Sequence, residues 1–204
     1  MDLVVLIPDQ GIRSSIQKIL ERHHSIGIGP LSFQTFVHVA RDPGCFLESH
    51  DFLRIYTRQS RHALVLFDRD GCGQEHRARN ELEADVDQRL AASGWDDRAA
   101  TIVLDPELEA WVWSESPHVE RVLGWEDRVP DLRSWLREKG YLQGTNTKPN
   151  QPKEAYESAL RTVGRHPSAA LFAELAQVVG FERCSDPAFI KLLTTLRRWF
   201  QPKE

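Results

Sequence analysis

The stretch Ala63-Leu64-Val65-Leu66-Phe67-Asp68-Arg69-Asp70-Gly71-Cys72-Gly73 decides the fold of this 204-residue chain. It opens with an unbroken apolar run, which is typical of a strand buried on both faces of a sheet. Two aspartates and two glycines end that run, and apolar residues spaced by four follow from Ala78 to Leu90. The pattern predicts a strand, an acidic tip, a tight turn and a helix, in that order.

Other segments repeat this strand-and-helix pattern. Further strands are predicted at Leu3–Ile7, at residues 31–39 and at Ala100–Leu104. Residues 42–44, Asp-Pro-Gly, predict a turn before a helix over 45–58. Asp105 before Pro106 is typical of an N-cap followed by the first residue of a helix. Strands that alternate with helices predict an α/β fold with a mostly parallel sheet flanked by helices.

The strand signal disappears after Trp125, and the rest of the chain predicts helices. These helices are expected over residues 129–141, 152–163, 167–179 and 186–200. We therefore expect an α/β core over residues 1–125 and a helical C-terminal extension over 126–204 that packs on it. The tryptophans Trp111, Trp113 and Trp125 have helical spacing, which favours burial in the core over stacking on bases. The polar segment around Lys148 and Lys153 either binds phosphate or, as we expect, is a solvated loop.

The composition is that of a globular protein without a membrane span. The hydrophobic fraction is 41%, and no apolar run approaches the roughly 18 residues that a span needs. The first residues lack the positive region of a signal peptide. Cys45, Cys72 and Cys184 are odd in number and widely spaced, which indicates neither a disulfide framework nor a zinc site. We expect a soluble, cytoplasmic protein with no membrane partner.

Charge is distributed unevenly along the chain. The net charge is −4, so the whole chain does not have the basic character of many nucleic-acid-binding proteins. Residues 61–145 carry 11 basic and 18 acidic side chains, whereas residues 146–204 carry 9 basic and 6 acidic ones. An acidic site needs cations before it can approach a phosphate. The basic surplus of the last third is a weak source of attraction for nucleic acid.

Acidic residues follow three of the predicted strands. Asp9 follows the first strand, Asp68 and Asp70 follow the third, and Glu109 comes shortly after the fourth. Because the carboxyl ends of parallel strands meet at one edge, these side chains are expected to converge there. Mg²⁺ prefers oxygen ligands and usually takes one or two carboxylates together with water and phosphate.

The convergence predicts a site for Mg²⁺ or Mn²⁺ held by Asp68, Asp70 and Glu109. Gly71 and Gly73 would let the backbone approach a bound cofactor or ligand closely. The alternative for the aspartate pair is an acidic loop that caps a helix, and the alternative for Glu109 is a plain surface role. Asp105 fits an N-cap better than a metal ligand.

Several short motifs resemble a known family. Residues 65–73 resemble the D-x-D segment of Toprim domains, which occur in topoisomerases, primases and overcoming-lysogenization-defect nucleases. Residues 106–111, Pro-Glu-Leu-Glu-Ala-Trp, and 184–189, with Leu192 and Leu196, resemble motifs of a Toprim-like bacterial family of unknown function. That family is often encoded near phage-defence ATPases. The resemblance implies a metal-binding acidic centre in a parallel-sheet fold and a place in an anti-phage system, with a methylation-associated system as one candidate.

The resemblance leads to two hypotheses about function. In the first, the chain is a metal-dependent nuclease or phosphoryl-transfer enzyme acting on nucleic acid, with Asp9 and Glu109 as catalytic residues. However, Toprim domains have a glutamate after the first strand, and Asp9 is one methylene shorter. A displaced carboxylate can cost on the order of 10²-fold in rate. In the second hypothesis the site is degenerate, and the protein is an interaction subunit that docks onto an ATPase or another defence component.

Overall fold

A four-stranded, all-parallel sheet with the strand order β2-β1-β3-β4 forms the centre of the protein. The structure is a computed structural model that describes residues 1–180 and 184–202. The strands are β1 (Leu3–Ile7), β2 (Phe33–Val37), β3 (His62–Asp68) and β4 (Ala99–Leu104). β1 and β3 are the central strands, and their long apolar runs are buried on both faces. The predicted α/β class with a mostly parallel sheet is confirmed.

Helices cover both faces of this sheet. In the described part of the chain the α-helices are α1 (Gln10–Glu21), α2 (Arg41–Arg54), α3 (Arg79–Leu90), α4 (His118–Leu123), α5 (Leu132–Glu138), α6 (Pro152–Thr162), α7 (Ala169–Val178) and α8 (Pro187–Trp199). Alternate residues of β1, β3 and β4 point to opposite faces. One face packs against α1 and α8, and the other packs against α2 and α3. None of the helices in the described residues has the length and apolarity that a membrane crossing requires.

A second apolar core lies beside the sheet and is formed by α4, α5, α6 and α7. Its largest members are aromatic side chains from helices and connecting segments, namely Trp113, Trp125, Trp135 and Tyr156. Trp113 and Trp125 are buried there, as predicted. α7 joins the two cores because it packs along α1 while Leu171 and Leu175 contribute to the second core.

The last helix belongs to the core of the sheet. Phe189, Leu192 and Leu196 of α8 pack in the same apolar cluster as the strands. Asp186 is only 6% exposed and caps α8 by accepting the N–H groups of Ala188 and Phe189. The proposed division at residue 125 therefore places in the extension a helix that covers one face of the sheet. Residues 181–183 and 203–204 of that extension lie outside the described residues, and the division itself stays a prediction.

Two local predictions were wrong. The Asp-Pro-Gly segment is no turn, because Asp42 lies in the first turn of α2, where the proline is also tolerated. A side chain at Gly44 would overlap His38, so this glycine permits close packing within the helix. The residues after Pro106 form a short 3₁₀ turn, Leu108–Trp111, in place of the predicted helix. Within this turn Ala110 and Val112 donate to the carbonyls of Glu107 and Glu109, while Leu108 donates to Asp68 and Pro106 accepts the N–H of Asp70.

Glu83 of α3 covers the free edge of β4. It is buried and accepts the N–H of Val103 at 3.1 Å through Oε1. Arg79 lies 3.0 Å from the same oxygen, and Lys191 of α8 lies 3.2 Å from the other. The Glu83 carboxylate thus satisfies a backbone N–H of the edge strand β4. It also links α3 to α8, which lie on opposite faces of the sheet.

We expect Glu83→Ala to lower the free energy of unfolding by about 1–3 kcal/mol, because it leaves the buried N–H of Val103 without a partner. Urea unfolding monitored by circular dichroism measures the change. Glu174→Ala, at an exposed position of α7, is the matched control and should stay within about 0.5 kcal/mol of the wild type. Equal losses in the two variants would contradict this role for Glu83.

Candidate functional site

Five carboxylates gather at the carboxyl edge of the sheet. They come from four places in the chain, and we call them the acidic cluster: Asp9, Asp42, Asp68, Glu107 and Glu109. They are close enough for their charges to interact, since the charges of the other four all raise the pKa of Asp68. Asp9 and Glu109, both expected at this edge from the sequence, thus act electrostatically on Asp68, together with Asp42 and Glu107.

Asp68 is the centre of the acidic cluster. It ends β3, and its Oδ1 accepts the N–H of Leu108 at 2.9 Å. Its own N–H donates to Oδ1 of Asp42 at 2.9 Å. Burial raises the pKa of Asp68 well above its ordinary value, and the charges of Asp42 and Glu109 raise it further. Removing a carboxylate from water disfavours its charged form, and a cation or a proton relieves that cost.

Asp42 is a member that the sequence analysis missed. It lies in the first turn of α2, after the edge strand β2. Burial raises its pKa, the hydrogen bond from Asp68 lowers it, and the charge of Asp9 raises it. A proline directly after an aspartate is a helix-start signal, and that signal could have placed Asp42 at the carboxyl edge.

Glu109 lies in the 3₁₀ turn and is partly buried. Burial raises its pKa to about 7, and the charges of Glu107 and Asp9 act in the same direction while Lys153 opposes them. A carboxyl group with this pKa is able to hold or release a proton at neutral pH, which is what a general acid or base requires.

Glu107 connects the acidic cluster to the helical extension. It is 8% exposed, and its Oε1 accepts the backbone N–H of Lys153 at 3.1 Å. The Lys153 ammonium lies 3.4 Å from Oε2. Lys153 is therefore part of α6 and of the site, which corrects the expectation of a solvated loop. Lys148 is likewise paired, with Asp186 at 2.9 Å.

Asp70 lies at the exposed margin of the acidic cluster. Its side chain is 52% exposed and 3.9 Å from the Arg69 guanidinium. Arg69 also pairs with Asp105 at 3.3 Å. Asp105 is thus an ion-pair partner of Arg69 and not the helix cap that its position before Pro106 predicts. The two aspartates of the D-x-D motif have different environments, one buried among acids and one paired with a cation.

Gly71 and Gly73 form the turn after the D-x-D motif. Both have positive φ angles, +89° and +83°, which favour glycine. Their N–H groups donate to the same oxygen of Glu75, at 3.0 and 3.1 Å. The approach of a ligand to this backbone stays a prediction. In the structure the Glu75 carboxylate accepts both N–H groups.

Asp9 has a structural partner as well as a place in the acidic cluster. It is the N-cap of α1, and its Oδ1 accepts the N–H of Ile12 at 2.9 Å. Its charge still acts on Asp42, Asp68 and Glu109. The proposed catalytic role of Asp9 therefore stays a prediction.

The donor set of the acidic cluster suits Mg²⁺ or Mn²⁺, because it consists of carboxylate oxygens whose buried charge needs compensation. Within residues 1–180 and 184–202, no three His, Cys, Asp or Glu side chains stand close enough together to hold a metal ion by themselves. Mg²⁺ usually needs only one or two protein carboxylates, since water and phosphate supply its other ligands. Asp68, whose pKa the charge of Glu109 raises, offers one such carboxylate.

Comparisons with models of protein families, with curated proteins and with solved structures found no match to this chain.

The raised pKa of Glu109 predicts a pH dependence of stability. The folded protein binds this proton more tightly than the unfolded chain, whose glutamate has an ordinary pKa of 4.5. The resulting stabilisation is complete below the unfolded pKa and is lost as the pH rises to about 7. Glu109→Gln should therefore gain stability relative to the wild type between about pH 5 and pH 8, by up to about 2 kcal/mol.

Urea unfolding at the two pH values measures this gain. Glu154→Gln, at an exposed position of α6, is the control and should differ from the wild type by the same amount at both. If Glu109→Gln shows the same constant difference, the raised pKa is wrong.

Proposed function

We propose that the chain is a Toprim-like component of a bacterial anti-phage system that cleaves phosphodiesters, or transfers phosphoryl groups, with Mg²⁺ or Mn²⁺. The observation that carries the proposal is the position of Asp68 at the end of β3, where burial and four neighbouring carboxylates all raise its pKa. A divalent cation would remove this repulsion, and phosphate groups are the natural partners of such a cation.

Asp68 and Glu109 are the residues proposed to hold the cation, with Asp70 able to join from the exposed margin. When bound, the cation would lower the pKa of a water molecule and neutralise charge on a phosphate. Glu109 in its cation-free form, with its pKa of about 7, would hold or release a proton near neutral pH. Asp9 is proposed to position or deprotonate the attacking water from the start of α1.

Lys153 supplies positive charge at the same place. Its ammonium group is half exposed and bonded to Glu107, so it can meet a phosphate oxygen without leaving the acidic cluster. Burial lowers the pKa of Lys153, but the charges of Glu107 and Glu109 raise it more, which keeps the ammonium protonated. A net acidic site needs such a cation to admit a polyanionic substrate.

The place in a defence system rests on the resemblance of residues 65–73, 106–111 and 184–189 to the Toprim-like family. It implies a cytoplasmic protein whose partners are nucleic acid and other defence proteins such as an ATPase.

The second candidate is an interaction subunit with a degenerate site. Two observations favour it: Asp9 is bound as the cap of α1, and Asp70 lies beside Arg69. In that case, loss of Asp68 would leave the cellular phenotype intact, whereas changes on the C-terminal helices would abolish it.

We expect the wild type to cleave single-stranded or duplex nucleic acid with Mg²⁺ or Mn²⁺, and chelation to abolish cleavage. Asp68→Asn and Glu109→Gln should each lower the rate by at least about 100-fold, because they remove carboxylates proposed to hold the cation. Asp105→Asn is the matched control, since its carboxylate lies at the same edge but pairs with Arg69. Gel-based cleavage assays measure the rates. Absence of cleavage by the wild type, or unchanged cleavage by Asp68→Asn, favours the interaction subunit.

Metal binding has a readout that does not depend on catalysis. If about 10 mM Mg²⁺ is ten times the dissociation constant, it should raise the free energy of unfolding by about 1.4 kcal/mol. The gain should be larger at about pH 8 than at about pH 5, because protons compete for the same carboxylates. Urea unfolding with NaCl at matched ionic strength is the reference. An equal gain in Asp68→Asn would place the cation elsewhere.

A further inference from the structure

A second charged feature lies at the amino ends of the strands, opposite the acidic cluster. Two open depressions of about 590 and 810 Å³ share Asp2 and Arg61 in their linings and together make a trough on the surface. We call it the amino-edge trough, and its principal residues are Arg58, Arg61, His62, Arg198, Trp199 and Phe200. Each depression has the size of a pocket for one small molecule, roughly 300–1,000 Å³, and because the two meet at Asp2 and Arg61 an extended ligand can contact both.

The lining of the amino-edge trough is strongly basic for a chain of net charge −4. Four arginines line it, against one carboxylate, Asp2, among the described residues. Arg58 and Arg198 are exposed, and the side chain of Arg61 is 76% exposed. Arg98 is engaged with backbone carbonyls, including that of Gly94 at 2.9 Å, so it contributes charge more than contact.

The arginines of the amino-edge trough affect the pKa of His62. Burial lowers the pKa of this imidazole, and the guanidinium groups of Arg61, Arg98 and Arg198 lower it further. Three like charges therefore act together on one partly buried ring. The same charges that disfavour a protonated imidazole would attract an anion placed among them.

Aromatic rings stand beside these arginines. Trp199 stacks on His62 with ring centroids 4.5 Å apart and an angle of 17° between the planes. Phe200 meets His62 edge-on at 5.3 Å, and the Arg198 guanidinium lies 5.9 Å from the Trp199 ring. Both aromatic side chains are partly exposed. The N–H of Gly29 bonds to the carbonyl of Phe200 at 2.9 Å, which fixes the end of α8 in place.

We propose that the amino-edge trough binds single-stranded nucleic acid, with Arg58, Arg61 and Arg198 on the phosphates and Trp199 or Phe200 stacked on bases. Proteins that bind single strands combine a basic groove with aromatic stacking platforms. An acidic peptide would use the arginines but not the exposed parts of the rings, whose other parts pack against the core. The bases of a duplex are already stacked on each other and unavailable to these rings.

This inference goes beyond the proposed function, because it needs neither a metal nor the acidic cluster. The seven residues of β3 separate the two features by about 20 Å, at roughly 3.3 Å per residue. Binding is therefore measured in EDTA, where cleavage through a divalent cation does not occur.

The test uses fluorescence anisotropy of labelled oligo(dT) of about 20 nucleotides. Three phosphate contacts on a single strand predict a salt slope of about −2, or roughly a 20-fold loss of affinity between 50 and 200 mM NaCl. We expect the triple variant Arg58→Gln/Arg61→Gln/Arg198→Gln to lose at least about tenfold in affinity at low salt. Phe200→Leu should lose about fivefold or more through stacking, with circular dichroism confirming its fold.

A charge-matched control separates the amino-edge trough from net charge. Arg121→Gln/Arg137→Gln/Arg161→Gln changes three exposed arginines on α4, α5 and α6 and should bind within about twofold of the wild type. The proposal is wrong if the two triple variants lose affinity equally, or if duplex DNA binds more tightly than oligo(dT). It is also wrong if polyglutamate of equal charge competes as well as oligo(dT), since the trough would then fit an acidic protein.

Discussion

Hydrogen bonds from backbone N–H groups to carboxylates hold the carboxyl edge of this protein together. Leu108 donates to Asp68, Asp68 donates to Asp42, and Lys153 donates to Glu107. Each bond joins two different elements, so the loops after β3 and β4, the first turn of α2 and the start of α6 are tied to one another. Acidic side chains that would otherwise repel each other are thereby fixed at short range.

These bonds compensate the acidic cluster only in part. A backbone N–H satisfies one carboxylate oxygen but carries no net charge, so the repulsion between ionised neighbours remains. Burial raises the pKa values of Asp42, Asp68 and Glu109, and this repulsion raises them further. Natural proteins tolerate such local conflict mainly where function requires it.

Sequence patterns predicted the strands that are defined by apolar burial. They missed the side-chain contacts made with residues far away in the sequence. β1, β3 and β4 are apolar runs enclosed by helices, so composition alone marks them. β2 is an edge strand that is only partly buried, and it is shorter than the segment predicted over residues 31–39. Asp105 has the local signal of a helix cap, yet its carboxylate bonds to Arg69, 36 positions away. Lys153 reaches Glu107 across 46 positions, a distance at which no local spacing rule operates.

The segment after β4 explains why the helical extension matters to the site. Residues 105–114 are held on one side by the loop after β3, through Asp68 and the bond from Asp70 to the carbonyl of Pro106. On the other side the indole N–H of Trp111 donates to Asp186 at 3.0 Å, and Glu107 accepts the backbone N–H of Lys153. Because Glu109 lies between these two anchors, its position depends on α6 and α8 as much as on the sheet. The acidic cluster is therefore a property of the whole described chain, assembled where the extension closes over the carboxyl edge.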